Sequence, residues 1–257
     1  MIWFVGAGPG AKDLITVRGQ RFLKEADMVI YAGSLVNPEL LDMCKETCEI
    51  YNSAFLTLEE VLDHLIRGER EGKKIVRLHT GDPSLYGAIK EQMDALDKEG
   101  IEYQICPGVS SFCGAAAALQ AEYTLPGISQ SVVITRMAGR TPVPKKESIR
   151  SFAAHEATMV IFLSTGMLGE LSKELIAGGY DAGTAAAIVY KASWPEEKVL
   201  RCTIGTLEET ARENQITKTA LIVVGEILDG EYLRSELYNP AFSTEFRKAS
   251  GKEQIHE

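Results

Sequence analysis

A chain of 257 residues with 45% apolar and 25% charged side chains has a soluble globular composition that excludes a disordered or fibrous protein. It has room for two α/β domains, each with its own core. The formal charge of -9 argues against a broad nucleic-acid face, because that affinity depends on Lys and Arg displacing counterions. No apolar run reaches the roughly 20 residues that span a bilayer. Residues 2–6 read as the first strand and not as a signal peptide, since no basic segment precedes them. Cys44, Cys48, Cys106, Cys113 and Cys202 are an odd number at irregular spacing, as expected of reduced thiols in a cytosolic chain. Cys44 and Cys48 lack the further ligands that a zinc site needs, so no metal is expected.

After the first strand the apolar periodicity predicts a helix over 14–24, a strand at 28–31 and a helix over 57–68. Thr57 with Glu60 three residues on forms a capping box that fixes the last of these starts. A strand at 74–78 leads to Gly81-Asp82-Pro83, and a helix follows to about residue 98. A strand at 103–106 ends at Pro107-Gly108 and precedes a helix rich in small side chains at 112–119. Strands at 131–135, 159–163, 185–189, 198–203 and 220–224 make up the second half. Only residues 190–197, with Ala192-Ser193-Trp194-Pro195 among them, separate the third of these from the fourth, too few for a parallel crossover, so the second sheet is expected to be mixed. The division is an N-terminal α/β domain at 1–118 with a parallel sheet, a C-terminal α/β domain at 119–230, and a polar tail at 231–257 that frays.

Three glycine-bearing loops follow apolar strands: Gly6-Ala7-Gly8-Pro9-Gly10, Thr80-Gly81-Asp82-Pro83 and Pro107-Gly108-Val109-Ser110-Ser111. In a parallel sheet such loops share one rim, where ligands bind. Residues 6–11 satisfy the dinucleotide fingerprint, so an NAD-dependent oxidoreductase is one reading. Against it, Tyr31-Ala32-Gly33-Ser34 stands where an acidic residue would hold the ribose, and Pro9 removes an amide donor. A purely structural tight turn is another reading. Asp82 can cap the following helix with Pro83 at its first position, while its backbone lines a binding site. His79 is either a structural strand-end residue or a polar group at the site.

Residues 5–19, 80–87, 107–111 and 189–195 resemble, in order and spacing, the signature segments of the tetrapyrrole methyltransferase family, over about residues 1–228. The segment Thr135-Arg136-Met137-Ala138-Gly139-Arg140-Thr141-Pro142-Val143-Pro144 is similar to that of the cobalamin-pathway branch that methylates carbon 11 of precorrin-4 or cobalt-precorrin-4. The resemblance implies S-adenosylmethionine in a trough between two α/β domains and a homodimeric assembly. It implies cofactor contacts at Pro9, Thr80, Gly81, Asp82, Leu85, Ser110, Ser111, Leu163, Ala192 and Ala220. An anionic tetrapyrrole substrate needs cations, for which Arg136, Arg140 and Lys191 are placed, arginine being suited to bidentate carboxylate contacts; solvated surface charge is the competing reading. Tyr86 and Ser110 are candidates for polar roles near the reacting ring. Other tetrapyrrole methyltransferases, such as the uroporphyrinogen type, and a noncatalytic tetrapyrrole carrier are the alternatives.

Overall fold

Short strand-forming runs, buried at the centre of the sheet and partly exposed at its edges, alternate with amphipathic helices through the first half and build a parallel sheet. In the computed structural model of the protein, which describes residues 1–33 and 35–250, its strands are β1 (Ile2–Gly6), β2 (Met28–Tyr31), β3 (Glu49–Asn52), β4 (Ile75–His79) and β5 (Tyr103–Cys106). Their spatial order is β3-β2-β4-β1-β5. Because strand side chains alternate between faces, the sheet has two cores. Trp3, Val5, Val29, Val76 and Leu78 pack with Phe22 and Leu23 of α1 (Val17–Glu25), and the Trp3 and Phe22 rings stack at 4.4 Å. On the other face Ile2, Phe4, Met28, Ile30 and Ile75 meet Val61 and Leu65 of α2 (Leu58–Arg70) and Leu96 of α3 (Lys90–Lys98). Burial of each such aliphatic side chain contributes about 1.5–3 kcal/mol.

The local signals mostly hold. The Thr57/Glu60 capping box is formed in full at the start of α2. The first helix begins at Val17 and not at 14, because the Thr16 side chain accepts from Gly19 N–H, and Lys12–Leu14 is a separate 3-10 turn. The largest departure is at Asp82-Pro83. The helix expected there starts only at Lys90, since Tyr86 and Ala88 adopt left-handed backbone at φ 56° and 50°, which a right-handed helix cannot contain. Asp82 is therefore not a helix cap. β3 escaped the sequence reading because it is a half-exposed strand with little apolar alternation.

The second sheet runs β6-β7-β10-β8-β9, from β6 (Val132–Arg136), β7 (Thr158–Phe162), β8 (Ala185–Tyr190), β9 (Lys198–Thr203) and β10 (Ala220–Val224). β6 pairs with β7 in parallel and β7 with β10 antiparallel, so it is mixed, as expected. Helices α5 (Ile149–Ala153), α6 (Leu168–Gly178) and α7 (Leu207–Glu213) accompany it; α4 (Ser111–Leu119) ends the first half. The chain divides into two compact units. One is Met1–Gln120 with Val189–Val199 and Lys218–Leu221; the other is Ala121–Ile188 with Leu200–Thr217 and Ile222–Glu257. Two late segments thus join the first unit, past the division at 118. In the tail, Leu233 N–H donates to the Pro126 carbonyl at 2.9 Å and Arg247 Nη2 to the carbonyls of Leu237, Asn239 and Phe242. Of these bonds the first reaches outside the tail and the others lie within it. Ser34 and residues 251–257 lie outside the described residues.

Candidate cofactor-binding site

Strand register brings the three glycine loops together. Gly6 lies opposite His79 across β1 and β4, and Val5 lies opposite Leu78 and Cys106, so all three loops leave the sheet at one rim. There Gly8 and Gly81 form an antiparallel bridge, Gly81 N–H donating to the Gly8 carbonyl at 2.8 Å. A Cβ on Gly6 would stand 2.5 Å from the Gly81 oxygen and 2.6 Å from Gly108 Cα; one on Gly108 would stand 2.2 Å from the same oxygen. The loops meet backbone to backbone, an approach only hydrogen side chains permit. A Cβ on Gly81, at φ +61°, would lie 3.4 Å from Ser111 N and 3.5 Å from Ser110 Cα.

Asp82 ties two of these loops. One carboxylate oxygen accepts from Ser84 N–H at 2.9 Å and from the Ser84 hydroxyl at 2.5 Å; the other accepts from Gly108 N–H at 2.8 Å. Burial raises its pKa, but the bonds from the Ser84 side chain, the Gly108 amide and the Ser84 amide outweigh it and leave the carboxyl below its ordinary value. At the end of β4, His79 Nε2 and Thr80 Oγ1 are buried without hydrogen-bond partners. Native folds seldom leave such atoms unpaired, and a hydroxyl orphaned beside the Gly81 bridge fits a polar ligand at this rim. Burial, and then the charge of Arg77, push the His79 pKa down to about 3, leaving a neutral imidazole of little use as a base. Arg77 donates to Gln92 Oε1 and the Ile30 carbonyl, both at 3.1 Å.

Of the remaining residues, Ser110 is buried at the N-cap of α4 without a side-chain cap bond. Leu85 N–H donates to the Asp82 carbonyl at 3.3 Å. Ala192 is buried, and a Cβ on Gly114 would touch both its methyl at 3.5 Å and the Pro9 ring at 2.9 Å, so these three small groups share one spot. Ala220 is buried next to Thr219, whose carbonyl accepts from Lys191 N–H at 3.1 Å. Tyr86 is exposed on its left-handed turn. All of these stand in the first unit. Leu163 stands in the second, 62% exposed at φ 53° just after β7.

The cation candidates differ from one another. The Arg136 guanidinium donates to the carbonyls of Met137, Thr141 and Pro142 at 3.1, 3.2 and 2.9 Å, so it shapes its own loop. Arg140 is exposed at the loop's tip. Lys191 pairs with Glu196 at 3.3 Å and lies over the Tyr190 and Trp194 rings. In the second unit a cavity of about 350 Å³ is lined by Met137, Ala138, Val143, Ile149, Lys173 and Glu174 among others; none of the implied cofactor residues borders it.

The dinucleotide reading fails on this geometry. The amides of Ala7, Gly8 and Ala11 donate to His79 O, Gly81 O and Ser193 Oγ, and so are unavailable to a pyrophosphate. The next helix begins only at Val17, so no helix N-terminus opens at the loop. Sequence reasoning missed Asn37, Ser193 and Trp194, which grip residues 9–11. Their partners lie 27, 182 and 185 residues away, and only the place of Ser193 and Trp194 in a signature segment hinted at a role.

The profile of the tetrapyrrole (corrin/porphyrin) methylases matches residues 1–208, and the chain belongs to that family. It is a methyltransferase of the type that uses S-adenosylmethionine. Among its relatives, the cobalt-precorrin-4 C(11)-methyltransferase of Methanocaldococcus jannaschii is 53% identical over 249 residues, 96% of each chain. A solved cobalamin biosynthetic enzyme, cobalt precorrin-4 methyltransferase, matches with a TM-score of 0.87 at 45% identity, covering 89% of this chain and 95% of its own. Uroporphyrin-III C-methyl transferase from Thermus thermophilus, solved with S-adenosyl homocysteine, matches with a TM-score of 0.73 at 26% identity, covering 89% and 93%.

Proposed function

We propose that this chain methylates carbon 11 of cobalt-precorrin-4, with metal-free precorrin-4 as the alternative substrate. The observation that carries this reading is the identity to the Methanocaldococcus enzyme over nearly the whole of both chains. When bound, S-adenosylmethionine supplies an electrophilic methyl group on a sulfonium. The rim fits it: the Thr80 hydroxyl is orphaned, Asp82 and Gly81 fix the loop beside it, and Pro9 with Ala192 offers apolar surface. Leu163 is proposed to add apolar packing, and Ser111 and Ala220 to complete the set. The residues act by orienting the donor and excluding water, Tyr86 and Ser110 being the polar side chains nearest the reacting ring in this reading.

Titration with S-adenosylhomocysteine, NAD in a parallel cell, tests the cofactor. Binding of NAD alone would overturn the assignment. Incubation with S-adenosylmethionine and each of the two tetrapyrroles, read by mass spectrometry, tests the substrate. Gain of one methyl group by neither macrocycle, with S-adenosylhomocysteine bound, would sink the substrate reading and leave the family intact.

Arg140 and Lys191 are proposed to meet substrate carboxylates, Lys191 by exchanging Glu196 for the incoming group. An Arg140→Ala variant should raise KM for the tetrapyrrole about tenfold, the loss of one charge-assisted bond, with KM for S-adenosylmethionine unchanged. An unaltered tetrapyrrole KM would remove Arg140 from the site. Arg136→Ala should instead lower kcat/KM by loosening the loop that its guanidinium ties. We also propose a cytosolic homodimer. Five free thiols suit a reducing compartment, and the exposed Tyr232, Leu237 and Tyr238 suit an interface. No helix among the described residues is long and apolar enough to cross a membrane.

A further inference from the structure

We propose that Trp194, Ser193 and Asn37 form a clasp on residues 9–11 that positions S-adenosylmethionine at the rim of the first unit. They are positioning residues: none is assigned a contact with the reacting atoms. The inference rests on the methyltransferase function proposed above.

Three consecutive residues of the glycine loop are each gripped by a side chain from elsewhere in the unit. Trp194 Nε1–H donates to the Pro9 carbonyl at 3.1 Å. Asn37 Nδ2–H donates to the Gly10 carbonyl at 2.9 Å, while its Oδ1 accepts from Glu39 N–H at 3.0 Å, so the buried amide is held at both ends. Ala11 N–H donates to Ser193 Oγ at 3.0 Å. The indole also lies flush on Gly10, where a Cβ would stand 2.1 Å from its ring. With its polar groups so engaged, the loop is set in one conformation, and the Pro9 ring is fixed beside Ala192 and Gly114.

The grip is made at the expense of backbone strain. Lys191 and Ser193 are both left-handed, at φ 46° and 66°, an arrangement that non-glycine residues keep only where their surroundings over-determine it, and which clusters at ligand sites. Here the turn is held by Trp194 N–H on the Lys191 carbonyl at 3.0 Å and by Ser193 N–H on Glu197 Oε2 at 2.6 Å. The Lys191 ammonium lies over the indole ring, 5.3 Å from its centre. A turn that served only to join β8 to β9 would need none of these ties to a loop more than 180 residues away in sequence.

Two variants separate positioning from plain stability. Trp194→Phe keeps a ring on Gly10 and deletes the N–H. Ser193→Gly deletes the hydroxyl at a φ that glycine adopts without strain. Each is expected to raise the dissociation constant of S-adenosylhomocysteine and the KM of S-adenosylmethionine about fivefold, the rise in KM exceeding any fall in kcat, with KM for the tetrapyrrole unmoved. Wild-type affinity in Ser193→Gly and in a folded Trp194→Phe would overturn the clasp; if Trp194→Phe does not fold, Ser193→Gly decides alone. A fall in kcat with KM intact would overturn it too. Absence of S-adenosylhomocysteine binding by the wild-type protein would instead overturn the methyltransferase function on which the clasp depends.

Discussion

A Gly108→Ala variant should melt roughly 6–12 °C below the wild type and should not bind S-adenosylhomocysteine. The added methyl would lie 2.2 Å from the Gly81 carbonyl oxygen and 2.7 Å from Gly6 Cα, and neither is a side chain that can swing aside. Overpacking costs about 1–3 kcal/mol where neighbours adjust, and backbone neighbours put this site at the upper end or beyond. For a protein of this size each kcal/mol moves Tm by about 2–4 °C. Relief can come only by parting the loops after β1, β4 and β5, which would take Gly81, Ser110 and Ser111 from their places together. Gly166→Ala is the control: it has open space around its Cβ and no left-handed backbone, so its stability should stay within about 0.5 kcal/mol of wild type. A Gly108→Ala protein with unchanged Tm and affinity would show that the glycine approach is not structural.

Asp82→Asn should lower S-adenosylhomocysteine affinity at least tenfold and stability by about 1–2 kcal/mol, the lower part of the range for hydrogen bonds to a charged group because Asp82 is half-exposed. The carboxylate accepts on both oxygens, from Ser84 on one and Gly108 N–H on the other. An amide has one acceptor and one donor end, so one of these N–H groups would face another N–H. The effect has a pH signature. A carboxyl held below its ordinary 3.8 contributes stability that is complete above that value and is lost as the pH falls through the folded pKa. The gap between wild type and variant in chemical denaturation should therefore be constant near neutrality and narrow below about pH 4. A gap independent of pH down to pH 2 would mean that the Asp82 charge plays no part.

How much of this was legible in the sequence depends on the range of the forces involved. β1 and β4 are short, wholly buried runs and β5 a short run ended by Pro107-Gly108, and composition with punctuation locates them. The capping box at Thr57 is a contact over three residues and was read outright. Tyr86 and Ala88 misled because the left-handed positions fall on a tyrosine and an alanine, while Gly87 between them, the residue type that usually signals such backbone, does not adopt it. β3 was hidden by its half-exposed Glu49, Tyr51 and Asn52, which lack the alternation of a half-buried strand. The glycine loops were visible as candidates, but their mutual contact depends on register between strands some 70 to 100 residues apart. Arg136 was read as a free cation because its three acceptors are backbone carbonyls, which carry no residue-specific signal.

The inclusion of Val189–Val199 and Lys218–Leu221 in the first unit bears on the order in which the protein is made. Chains emerge from the ribosome N-terminus first, and domains tend to fold as they appear, yet residues 9–11 have no Trp194 or Ser193 to meet until more than 180 further residues have been synthesised. A nascent chain stopped before residue 189 would carry all three glycine loops without the side chains that hold residues 9–11. On the proposed clasp, the loop at residues 9–11 would be held in one conformation only once residues 193 and 194 have been made.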